Sequence, residues 1–266
     1  MTSTVLDLDE PDSWHPQFEA LLYCARMWQR IREKLDDRAD STPDLLSQIT
    51  CCTPYLSNSL ATEIREKARQ ICLANYTYVA AYHGCRPRDR RTYQQSGILL
   101  SDPQALVSYA RELFAGIAGF DEALNDIERC GRGYLDFNKG KVGLLMSGSE
   151  AKRTRNPYAN GSELVRALAS RLGREAKRRV ADTGMPTLIR CIIPVNWLDR
   201  CTTFPVFESY CSSVLDRLIR IRRWPKDPPP GFDGGFLLTR SVPQEYITDF
   251  IDMTDFSDER SDTFFE

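Results

Sequence analysis

Histidine is nearly absent from this chain: His15 and His83 are the only two among 266 residues. Nine cysteines are present, at 24, 51, 52, 72, 85, 130, 191, 201 and 211, but no two form a C-x-x-C pair. With so few imidazoles and no paired thiols, the ligand spacing of a structural zinc site is missing, and no metal is expected. An odd number of cysteines with no regular framework points to reduced thiols rather than a disulfide scaffold. The chain also lacks a G-x-G-x-x-G loop and a Walker loop, which excludes the Rossmann and P-loop ways of holding a nucleotide. No uncharged apolar run approaches membrane-spanning length, and the opening MTSTVLDLDEPDSW is acidic where a secretion signal would be basic and then apolar. A cytoplasmic protein without membrane contact is the expectation. Neither sign of charge dominates, since 35 basic residues face 37 acidic ones for a net charge of -2, so bulk charge names no partner.

What is there divides into three parts. Residues 1–73 read as an N-terminal helical region. From 14 to 35, Phe18, Leu21, Leu22, Ala25 and Ile31 recur near a helical period, and from 58 to 73 Leu60, Ile64, Ala68 and Ile71 form a second stripe. Residues 74–252 read as the principal domain, and 253–266 as an acidic tail. Within the principal domain YTYVAAYH, from Tyr76, is rich in β-branched and aromatic residues and runs into a glycine, the pattern of a buried strand that delivers a side chain to a loop. Helices are predicted over 103–127, 162–182 and 206–223. Strands are predicted over 133–137, 142–147, 187–194 and 235–240, and at EYITDFI, with NKGK as a hairpin turn between the second and third of all strands. Strands and helices interleave without clean alternation, so the class is α+β rather than a doubly wound parallel fold. No internal repeat is visible.

Two stretches carry candidate chemistry. Tyr82-His83-Gly84-Cys85 is followed by Gly97-Ile98, and near the far end stands PQEYITDF, with Glu245 as its carboxylate. Together and in this order they resemble signatures of the ADP-ribosyltransferase superfamily, the class of diphtheria-like toxins and poly(ADP-ribose) polymerases with a His-Tyr-Glu set. Cys85 stands where that family usually has a hydroxyl residue. Leu144 and Leu145 stand where it carries a strand aromatic, so Tyr158 is the candidate for that role and Tyr134 the fallback. The resemblance covers short motifs, not the whole chain.

The resemblance implies a split, mostly antiparallel β-sheet core and NAD as substrate. His83 would hold the adenosine-side ribose, Gly84 backbone groups would grip the nicotinamide carboxamide, and Tyr82 and Arg86 would complete the NAD contacts. Glu245 would stabilise the oxocarbenium-like state as the nicotinamide bond breaks. A glycine after the histidine lets backbone approach a flat ligand. Glu163 is a reserve carboxylate, although Ser162-Glu163 also reads as a helix N-cap with an acidic first turn. ADP-ribose would pass to a macromolecular acceptor, protein or nucleic acid, or to water. The family further implies a toxin, effector or defence protein with an inhibitory partner protein.

Three sets of basic residues remain: Arg86 to Arg91, then Lys152 to Arg179, then Arg217 to Arg223. Arginine's planar fork suits phosphate, yet solvated faces and helix C-termini account for such clusters as readily. Phe232, in PKDPPPGFDGG, is a candidate acceptor-choosing aromatic or part of a stiff connector. Two readings of another class stay open: an inactive domain of the same fold that only binds, and a basic nucleic-acid-binding protein with salt-sensitive affinity.

Overall fold

A computed structural model describes residues 5–22, 58–130, 139–153, 162–198, 210, 213–214, 217–218 and 234–253. In chain order the elements are β1 (Val5–Leu6), a 3-10 turn (Pro11–Ser13), α1 (Pro16–Leu22), α2 (Asn58–Asn75), β2 (Tyr78–Cys85) and α3 (Arg91–Ser96). There follow α4 (Pro103–Leu113), α5 (Phe120–Cys130), β3 (Val142–Leu145), α6 (Gly148–Arg153), α7 (Glu163–Leu172) and α8 (Arg174–Asp182). The last are β4 (Thr187–Pro194), α9 (Val195–Leu198), β5 (Gly235–Leu238), a second 3-10 turn (Gln244–Tyr246) and β6 (Ile247–Asp252). The strands make one sheet in the order β5-β3-β2-β4-β6, with β1 pairing off β2. β2 and β3 are antiparallel through Tyr82↔Leu145, β4 and β6 are antiparallel from Thr187↔Asp252 to Cys191↔Ile247, and β1 runs parallel to β2. Helices beside a sheet with antiparallel pairs place the chain in the α+β class. Among the described residues no helix is long and apolar enough to cross a membrane.

The chain forms two compact units, Met1–Ala80 with Ile193–Phe236, and Ala81–Ile192 with Leu237–Glu266. In the first, the N-terminal segment is fastened by polar groups that apolar periodicity does not reveal. The Trp14 indole donates to the Asp7 carbonyl at 2.7 Å, and the Tyr76 hydroxyl donates to the Ser13 carbonyl at 2.8 Å. The fully buried Phe18 stacks on Tyr76 with ring centroids 6.4 Å apart. The Tyr210 hydroxyl sits 2.8 Å from the Ala80 carbonyl and 3.1 Å from that of Leu6, tying β1 to β2 a second time. Each such bond is worth about 1 kcal/mol net, but leaving these buried groups unpaired would cost more.

In the second unit, α4, α5, α7 and α8 enclose an apolar cluster of Leu113, Phe114, Phe120, Ile127, Leu164 and Leu168 with their neighbours. The sequence predicts one helix over 103–127; the structure has two, because the chain turns through Gly116 and Gly119, both at φ near +80° (80° and 84°). The predicted helix over 162–182 is likewise broken at Gly173, φ 88°, into α7 and α8. Both breaks have one cause: a helix-period stripe continues across a glycine that takes the left-handed conformation and ends the first helix. The strand predicted over 187–194 is β4, residue for residue. The strands predicted over 142–147 and 235–240 stop earlier, at Leu145 and Leu238. EYITDFI begins as a 3-10 turn, and its strand starts only at Ile247. Lys139-Gly140 does form a turn, with Gly140 at φ 66°, while the strand predicted over 133–137 lies outside the described residues. So do most of the helix predicted over 206–223, the part of the first helix beyond Leu22, and the tail after Met253.

Two glycines of this unit have no slack, Gly97 and Gly184, each with an added Cβ 2.2 Å from a carbonyl oxygen. Gly97, at φ 71°, lies against the 241–244 segment so that an added Cβ would fall 2.2 Å from the Val242 carbonyl oxygen. Ile98 and Val242 exchange both backbone hydrogen bonds, at 2.8 and 2.9 Å. Gly116 has a similar φ but open space around it. We therefore expect Gly97→Ala to lower the urea midpoint by the equivalent of about 3 kcal/mol or more, combining a left-handed penalty with a backbone clash. Gly116→Ala, which meets only the left-handed penalty, is expected to cost about 1–2 kcal/mol.

Candidate functional site

β2 is rich in small residues, and Val79 to Tyr82 are all buried. Alternation along a strand then sends Tyr82 to one face of the sheet and His83 with Cys85 to the other. The Tyr82 ring is buried against Gly148 at the start of α6, where an added Cβ would sit 2.6 Å from the ring edge. Tyr82 thus packs the fold at a close glycine contact, on the face opposite His83. Gly84 is half-buried, between the two residues of the His83 face.

His83 is half-buried, and its Nδ1 lies 2.9 Å from the Gly143 carbonyl on the adjacent β3. A carbonyl can only accept, so Nδ1 carries the hydrogen. Loss of hydration around the ring lowers its pKa from the ordinary 6.5, and the bond to Gly143 opposes this only in part. At neutral pH the imidazole is therefore uncharged, protonated at Nδ1, and offers Nε2 as an acceptor. Among the described residues nothing bonds to Nε2. The site can accept a hydrogen bond from a hydroxyl or amide; it does not present a cation.

The neighbours of His83 come from α3. The Tyr93 ring stands 6.2 Å from the imidazole, tilted by 51°. Its hydroxyl neighbours the Cys85 thiol closely enough for each to shift the other's titration. Burial pushes the Cys85 thiol up to about 12, and burial likewise pushes Cys191, whose charge state is coupled to Cys85, up to about 12. Burial and the neighbouring Cys85 also raise Tyr93 above its ordinary range. Cys85, Cys191 and Tyr93 are thus uncharged at neutral pH. Cys72, Cys85 and Cys191 are free thiols.

The other end of α3 holds the segment that bears Glu245. Gly97-Ile98 pairs with Val242, α3 packs on the 3-10 turn, and the Gln244 carboxamide donates to the Gln94 and Gln95 carbonyls in the orientation that satisfies it. Glu245 is exposed on that turn. One short helix therefore touches His83 through Tyr93 and carries the Glu245 turn at its C-terminal end.

The remaining candidates are placed as follows. Arg86 donates through Nε to the Thr183 carbonyl at 2.9 Å and through a terminal nitrogen to that of Ala181, so its fork satisfies the end of α8. Arg88 lies over the Tyr109 ring at 5.0 Å and pairs with Glu112, and Arg90 bonds Thr187 and pairs with Asp252. Much of this basic run is structural. Glu163 is exposed in the first turn of α7, where Ser162 Oγ accepts from Val165 N at 3.3 Å, which is the N-cap arrangement. Tyr134, Tyr158 and Phe232 lie outside the described residues. Sequence reasoning did not single out Tyr93 or the Gly143 carbonyl. Tyr93 had a faint signal, an aromatic in a short polar helix, whereas a backbone acceptor on another strand has none.

No protein-family model, curated protein or solved structure matches this chain.

Two outcomes follow from these environments. The unfolded chain protonates its histidine below pH 6.5, while folded His83 resists doing so, so the unfolded state binds more protons and stability falls as pH drops through and below that value. Urea unfolding at pH 7.5 and 5.5 should show a larger loss for wild type than for His83→Gln; equal losses would contradict the burial. Secondly, Cys85 and Cys191 should resist iodoacetamide at pH 8 in the folded protein and alkylate once urea is added, as read by peptide mass spectrometry.

Proposed function

We propose that the chain is an NAD-dependent ADP-ribosyltransferase with its substrate site at the His83 end of β2. The observation that carries this reading is the preset imidazole: neutral, with Nε2 an acceptor suited to a ribose hydroxyl, beside a half-buried glycine where backbone can reach a flat carboxamide. It is supported by the clasp at α3, which connects the His83 wall to the Glu245 turn, so that both resemblance motifs belong to one locality. The sheet would then be of the ADP-ribosyltransferase type, and NAD would be consumed as a substrate.

In the proposed reaction the bond between ribose C1' and the nicotinamide nitrogen breaks, and its electron pair leaves with nicotinamide. Glu245 stabilises the positive charge that develops on the ribose. A nucleophile of a protein or nucleic-acid acceptor, or water, then bonds to C1' and loses its proton to solvent. Tyr158, with Tyr134 as its substitute, keeps the proposed stacking role on nicotinamide. Arg86, with two nitrogens committed to α8, is a weaker candidate for the pyrophosphate. A toxin, effector or defence role with an inhibitory partner remains within this proposal, as does a cytoplasmic setting.

A second reading, NAD binding without turnover, is favoured by one feature: β3 offers Leu144 and Leu145 and no aromatic beside β2. Nicotinamide release and calorimetric NAD binding separate the two. We expect His83→Gln to weaken NAD binding about fivefold to tenfold, the worth of one hydrogen bond. Glu245→Gln should lower release by about a hundredfold or more with little change in binding. Binding without release from wild type, with or without cell lysate as acceptor source, would establish the second reading; neither binding nor release would end both.

A further inference from the structure

The imidazole of His83 is held at two places. The Gly143 carbonyl holds Nδ1 at 2.9 Å, and the Tyr93 ring stands beside it at 6.2 Å. A single hydrogen bond to a carbonyl does not prevent an imidazole from turning over, since the flipped ring can repair the loss with water. A bulky neighbour that occupies the space needed for the flip does prevent it. Tyr93 is fixed well enough to act in this way. Its hydroxyl neighbours Cys85, on the same face of β2 as His83. The helix that carries it is fastened at both ends: Arg90 bonds Thr187 and pairs with Asp252 at the start, and Gly97-Ile98 pairs with Val242 at the end.

We propose that Tyr93 is the positioning residue of this site: standing beside His83 on a helix fixed at both ends, it keeps the imidazole in the Nδ1-protonated tautomer with Nε2 presented to a hydroxyl-bearing ligand. The inference rests on reading His83 as the ligand-holding group. Among the described residues the groups that face the imidazole are the Gly143 carbonyl from β3, Tyr93 from α3 and, on the same strand face, Cys85 from β2. Arg90 and Cys191 act one step further out, through Cys85. Cys85 and Tyr93 remain neutral at pH 7 because burial raises both, so no anion among these groups recruits a second proton to the ring.

The chain has only two histidines, so proton–nitrogen imidazole spectra of the whole protein can be assigned with His83→Gln alone. The wild type should show the Nδ1-protonated tautomer at pH 7 and titrate below 6.5. Tyr93→Leu, which fills much of the space without ring edge or hydroxyl, should give mixed tautomers and a titration that moves toward the ordinary value. Tyr93→Ala should do the same more strongly. Superimposable His83 tautomer and titration in either folded variant would overturn the proposal; Tyr93→Leu guards against a Tyr93→Ala protein that does not fold. In parallel, NAD affinity of Tyr93→Leu should fall about fivefold to tenfold, with turnover of bound NAD changed less. If the wild type binds no NAD, the ligand assignment of His83 fails, while the tautomer comparison still decides the role of Tyr93.

Discussion

Near the site Gly97 lies so close to the carbonyl of Val242 that no side chain larger than hydrogen fits. The α3 side of the site hangs from it. The contact seats the end of α3 on the segment leading to β6, and the paired hydrogen bonds of Ile98 and Val242 hold it there. α3 then brings Tyr93 to His83 at one side and supports the Glu245 turn at the other. A short helix of six residues has little intrinsic stability. It persists because tertiary contacts fix both its ends.

The chemistry of His83 follows from burial and from one carbonyl. Burial removes the charge, and the Gly143 carbonyl chooses which nitrogen keeps the hydrogen. The same burial that neutralises the imidazole silences the thiol at Cys85 and the phenol at Tyr93. An environment of this sort favours directed hydrogen bonds over charge. Two neighbouring arginines are likewise committed within the protein, Arg86 to the end of α8 and Arg90 to Thr187 and Asp252.

Legibility in the sequence varied with the physical origin of each feature. β4 and α2 could be read from periodicity and composition because a buried strand and an amphipathic helix write their environment into every residue. The breaks at Gly116, Gly119 and Gly173 were hidden because the apolar period runs straight over them, and a glycine in a helical pattern does not announce its φ. The 3-10 turn at Gln244–Tyr246 was mistaken for strand for a related reason: Tyr and Ile favour extended structure, but Pro243 and the fit against α3 impose the turn first. His83 and Glu245 were visible as a motif. Tyr93 and Gly143 were not, since neither residue type in its own segment hints at the partner 10 or 60 positions away.

By itself, then, the sequence determined the class of the fold, the rarity of histidine that makes His83 conspicuous, and the exclusion of the usual nucleotide loops and thiol clusters. These are properties of composition, period and spacing, all local in the chain. Only the tertiary structure decided that Tyr82 serves packing, that Arg86 closes a helix, that the imidazole is neutral with its hydrogen on Nδ1, and that one helix joins the His83 and Glu245 segments. Each of those depends on which groups from distant segments lie within hydrogen-bond or contact distance. That distance is set by the packing of the whole second unit and not by any stretch of it.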